Sequence, residues 1–116
     1  MTDVERAFAA IAGPLLNEPD IDEGTGFGTN PGLRAGGRIF AMLVRGELVV
    51  KLPADRCSEL VAAGAARPFD RGQGRPLREW VVVGEAAESE WPGLAGEALT
   101  FVRGSATRRK RSRATG

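Results

Sequence analysis

The sequence has no histidine, no tyrosine and a single cysteine, Cys57. The missing imidazole removes the commonest general base near neutral pH and every histidine-ligated metal site. One cysteine excludes an internal disulfide, and an unpaired thiol makes the reducing cytoplasm the expected location. No apolar run, Val81-Val82-Val83 included, approaches the roughly 20 residues of a membrane-spanning helix. The opening Met1-Thr2-Asp3-Val4-Glu5 is acidic and lacks the basic start and apolar stretch of a secretory signal. Proton transfer would fall to carboxylates, lysine or cysteine, and none of these converge by spacing. The expectation is a non-enzymatic protein with no metal, no cofactor and no membrane.

What is present fits one small domain. The 116 residues are 42% hydrophobic and 27% charged, enough for a modest core of marginal stability. Charge is unevenly placed. From Arg103 onward there are six bases (Arg103, Arg108, Arg109, Lys110, Arg111 and Arg113) and no acid, whereas residues 1–102 carry 10 bases and 15 acids, a net of −5. The 14 arginines against two lysines are scattered and read as composition.

Thr2 and Glu5 have capping-box spacing, and Val4, Phe8, Ile11 and Leu15 recur at helical period. Pro14 predicts an end or kink near Ala12. Asn17 to Gly37 holds six glycines and two prolines, with room for a short hairpin between Gly26-Phe27-Gly28 and Leu33-Arg34-Ala35. Arg38 to Val44 reads as a strand buried on both faces, Arg45-Gly46 as a two-residue turn, and Glu47 to Leu52 as the returning strand. Pro53 suits the first position of a helix that presents Cys57, Leu60 and Val61 and ends at Gly64. Ala65 to Gly74 reads as a loop anchored by Pro68-Phe69, and Leu77 to Val83 as a strand. Ser89 caps a last helix with Pro92 in its first turn and Leu94, Ala98, Phe101 and Val102 on its apolar side. No apolar periodicity survives beyond Arg103, which predicts a disordered tail. The fold class is thus α+β, an antiparallel sheet with flanking helices, with a folded body over 1–102 and a basic tail over 103–116.

Several features invite sharper chemistry. Gly24-Thr25-Gly26-Phe27-Gly28 lacks the Gly-Lys-Ser/Thr ending of a phosphate loop and reads as turn geometry. Glu18, Asp20, Asp22 and Glu23 fail the calcium-loop spacing and read as a solvated acidic loop. Cys57 falls on the apolar helix side and reads as an inert thiol. Trp80 and Trp91 read as core or rim packing. Arg71, Arg75 and Arg78, interleaved with Asp70 and Glu79, read as a charge-balanced surface.

The run from Gly37 to Pro53, GRIFAMLVRGELVVKLP, is followed by Asp55-Arg56, the Pro68-Phe69 pair, Gly74-Arg75-Pro76 and Glu79-Trp80-Val81. In order and spacing these resemble the TfoX N-terminal domain family, over about Thr2 to Val102. The resemblance implies a Gly-rich first strand, a strand around Phe40-Ala41, a strand ending near Lys51-Leu52, then a helix and a final strand. The family is named for regulators of natural competence in which a second domain can follow, and this chain has no room for that domain. Related small domains are described as DNA-binding, and the family supplies no catalytic set. Where some relatives carry a Gly-His-Gly-Arg loop, this chain has Gly72-Gln73-Gly74-Arg75.

The functional expectation is a regulatory or binding module. Arg103, Arg108, Arg109, Lys110, Arg111 and Arg113 would give weak, sequence-independent affinity for nucleic-acid phosphates, and the body would contact a protein partner. The alternative is a protein–protein interaction domain whose tail is incidental, with contact through the valine-rich strand's edge or an exposed apolar patch. Oligomeric state is left open.

Overall fold

The computed structural model describes residues 2–25, 30–70 and 76–115, with side chains described over 2–25, 30–70 and 77–104. Helix α1 spans Asp3–Leu15. Its capping box is closed: the Glu5 amide donates to Thr2 Oγ1 at 3.2 Å, and the Thr2 amide donates to Glu5 Oε1 at 2.7 Å. Pro14 lies inside the last turn, so the helix runs past the expected end near Ala12. Its missing amide removes only one bond there, and the apolar face bearing buried Phe8, Ile11 and Ala12 carries the helix through.

Strands β1 (Ile21–Thr25) and β2 (Pro31–Ala35) form the first hairpin, in register from Ile21↔Ala35 to Thr25↔Pro31. Its outer strand is therefore part of the segment expected to be an acidic loop, and Gly26-Phe27-Gly28 falls outside the described residues. Two features fix this placement. Ile21 is buried, and across the pair Arg34 donates to Asp22 from Nε at 3.1 Å and from Nη2 at 2.7 Å.

Strands β3 (Arg38–Val44) and β4 (Glu47–Lys51) follow as the sequence predicts. Gly36-Gly37 and Arg45-Gly46, the two connecting pairs, all have positive φ, as a type I′ hairpin turn requires. The register jumps from Leu33↔Ala41 to Arg34↔Ile39, leaving Phe40 as a bulge. Phe40 and its neighbour Ala41 consequently both join the helix-facing core, which strict alternation would forbid.

Helix α2 spans Ala54–Ala62 with Pro53 as its N-cap rather than its first residue, so it starts one residue later than expected. It closes in a Schellman motif: the amides of Gly64 and Ala65 donate to the carbonyls of Val61 and Leu60, with Gly64 at φ 75°. The stretch expected as a loop contains strand β5 (Arg67–Asp70), paired with β6 (Pro76–Val83). β5 is an edge strand, where the missing amide of Pro68 is tolerated. A 3-10 turn, Glu85–Glu90, leads directly into helix α3, Trp91–Thr115. Ser89 lies within that turn.

All pairings are antiparallel, in the order β1-β2-β3-β4-β6-β5. The fold is α+β, a six-stranded antiparallel sheet with flanking helices. One core joins the sheet to all three helices, from Leu33, Phe40, Leu48, Val50 and Val83 to Ile11, Leu60, Trp91 and Val102. Alternate residues of β4 and β6 build a smaller cluster on the other face, with Val49, Trp80 and Val82 beside Met42 and Phe69. Trp91 is wholly buried, and its indole N–H donates to the Gly84 carbonyl at 3.2 Å. That bond pins the start of α3 to the end of β6.

Candidate nucleic-acid interface

The basic segment continues α3. Backbone hydrogen bonding stays helical to Thr115, where the sequence predicted disorder from Arg103. Alanine, arginine and lysine are strong helix formers, and positive charge near a helix C-terminus opposes the negative end of its dipole. Loss of apolar periodicity does not mark where the helix ends. Among the described side chains Val102 is the last in the core. The 13 residues from Arg103 to Thr115 add about 20 Å of helix beyond it at 1.5 Å per residue. Arg108, Arg109, Lys110, Arg111 and Arg113 lie on that extension, at positions that ring its axis.

Arg103 stands apart from the other five. Its Nε donates to Asp20 Oδ2 at 3.0 Å, and its Nη2 donates to Asp20 Oδ1 at 2.7 Å and to Glu18 Oε1 at 2.5 Å. The two carboxylates hold the guanidinium well above its ordinary pKa, and Arg103 in turn holds the Asp20 carboxyl below the usual carboxylate range. Arg103 is thus a clasp between α3 and the segment before β1. Glu18 and Asp20, read from sequence as solvated acids, are the other half of the clasp. Eighty-odd residues separate the partners, and no local spacing signals the pair.

A second ion pair ties the helices together. Arg56 on α2 donates to Glu97 on α3 from Nε at 2.9 Å and from Nη2 at 3.2 Å. Glu97 is the last acid in the chain, so everything C-terminal to it is neutral or basic.

The remaining candidates are structural. The Cys57 thiol is buried and donates to the Leu52 carbonyl at 3.5 Å, and burial pushes its pKa up. A raised thiol pKa and a covered sulfur are the opposite of a nucleophile's setting. Trp80 packs in the smaller core, with the Lys51 ammonium 5.9 Å from its ring centroid. Arg78 is exposed, while Arg71, Arg75 and the Gly72-Gln73-Gly74 loop lie outside the described residues. Among the described residues no three Cys, Asp or Glu side chains cluster as metal ligands, and no helix is long and apolar enough to cross a membrane. The valine-rich strand proposed as an interaction edge is β6, which is flanked by β4 and β5 and has no free edge. Val61, at 36% exposure, is the one exposed large hydrophobic among the described residues.

Comparison with family models, with curated proteins and with solved structures finds no match for this chain.

Proposed function

We propose that this chain is a non-enzymatic nucleic-acid-binding module whose folded body presents a basic helical arm. The observation that carries the reading is the arm itself: five bases within six residues, Arg108 to Arg113, on a helix that extends past the core with no acid after Glu97. Such a segment neutralises phosphates and releases condensed counterions, without reading bases. The likeness of Gly37–Pro53 and the segments after it to the TfoX N-terminal domain supports a regulatory role, and the unpaired Cys57 supports a cytoplasmic setting.

The test compares the full chain with one ending at Gly104, which keeps Arg103 and its clasp. Both are titrated with duplex DNA across a salt series. If all five bases engage, the full chain's log K falls with log salt at a slope of about −4.5, and the shortened chain does not bind. Equal binding by both chains refutes the role of the arm.

A further inference from the structure

We propose that the cleft between α2 and β6 is a binding site for a small apolar monocarboxylate. The cleft starts from an interruption in the sheet. On its β4 side, β6 pairs without a break from Leu48↔Val83 to Lys51↔Trp80. On its β5 side the register jumps from Pro68↔Val81 to Phe69↔Leu77, so Arg78, Glu79 and Trp80 have no counterpart in β5. Pro68, at the jump, also lacks an amide to donate. Such irregularities break the ladder locally and re-aim the side chains beside it.

Helix α2 closes the other side of the gap. Cys57 and Leu60 pack into the core, while their neighbours Ser58 and Val61 are exposed. An open cleft of about 360 Å³ lies between Ser58 and Val61 of α2 and Pro68, Leu77, Arg78 and Trp80. That volume is at the small end of the roughly 300–1,000 Å³ of small-molecule sites, so the occupant is a single small molecule. Val61, the one exposed large hydrophobic among the described residues, forms part of its wall.

Charge decides the class of that molecule. Arg78 is the one charged residue lining the cleft, and it forms no ion pair within the chain. Arg34, Arg56, Arg67 and Arg103, by contrast, each hold a carboxylate of this chain. The nearest acid in sequence, Glu79, is 3.9 Å from the Lys51 ammonium. A guanidinium binds a carboxylate through parallel hydrogen bonds, and the apolar walls take a hydrocarbon chain. One cation beside apolar walls matches a single negative charge, which favours a monocarboxylate over a phosphate. None of this depends on nucleic-acid binding.

The experiment is proton–nitrogen correlation NMR on the full chain, titrated with octanoate and, separately, with n-octanol as its neutral counterpart. The amides of Ser58, Val61 and Arg78 should shift saturably with octanoate, with a Kd of about 1 mM for so small a ligand. The Trp91 indole signal, from the main core, should stay in place. Arg78→Gln, at an exposed position with no ion pair to lose, should weaken octanoate about tenfold and leave n-octanol unchanged. Val61→Glu, also at an exposed position, should abolish octanoate binding while the rest of the spectrum is retained. The absence of a saturable shift, equal affinity for n-octanol, or indifference to Arg78→Gln overturns the proposal. Shifts at the same amides that depend on protein concentration without octanoate would assign the cleft to a second copy of the chain and overturn it too. The readout uses neither DNA nor the basic arm, so this result and the DNA titration stand or fall separately.

Discussion

Replacing Gly96 by alanine should make the protein more stable. Gly96 is exposed in the interior of α3, and a Cβ there meets nothing within 4 Å, so the change introduces no clash. Glycine in a helix interior is less favourable than alanine by about 1 kcal/mol, because its backbone loses more freedom on folding. Against a total stability of roughly 5–15 kcal/mol, that gain is easily measured and corresponds to a rise in Tm of about 4 °C for a chain of this size. The assay is urea unfolding followed by circular dichroism. The control is Gly64→Ala. Gly64 also has nothing within 4 Å of an added Cβ, yet it sits at φ 75°. Alanine in that left-handed conformation costs about 1–2 kcal/mol, so the two variants should move in opposite directions. If Gly96→Ala destabilises the protein, glycine there serves the chain's own fold and the reasoning fails.

Trp91→Phe removes the indole bond to the Gly84 carbonyl and leaves a void at a fully buried site. A loss of about 2 kcal/mol is expected in urea unfolding, and no loss would mean that this bond does not hold α3 in place. Acid should destabilise the fold. Arg103 beside Asp20, the Thr2 amide and hydroxyl beside Glu5, and Arg67 beside Glu47 each lower a carboxyl pKa below its unfolded value. Such groups favour the folded state above about pH 4 and lose that contribution as pH falls through their folded values. The urea midpoint should therefore drop between about pH 5 and pH 3, and Asp20→Asn should flatten the drop; an unchanged profile in that variant would show that the clasp does not form in solution. Cys57 should resist a thiol reagent in the native state at pH 7 and react on unfolding, since burial raises its pKa. Fast native labelling would contradict its placement.

The parts of the fold legible in the sequence are those set by local chemistry. The capping box at Thr2, the Arg45-Gly46 turn, the β3–β4 hairpin and the glycine stop at Gly64 each depend on residues within a few positions of one another. The departures share a different cause. Pro14 and Pro68 break local rules, but each sits where the missing amide matters little, at a helix's last turn and on a sheet edge. Being an edge is a property of the whole sheet and is not written near Pro68. The acids before β1 looked solvated because their partner, Arg103, lies at the far end of the chain. That one pairing also redraws the candidate site. From sequence, Arg103 is the first of six equivalent bases. In the fold it is held to the body by Asp20 and Glu18, and the five after it lie further along the same helix. Arg103→Gln should therefore weaken the clasp without removing a phosphate contact, leaving the salt slope of DNA binding unchanged. Arg109→Gln should lower that slope by about 0.9. Equal slope changes for the two would return Arg103 to the phosphate-binding set and dissolve the distinction between clasp and arm.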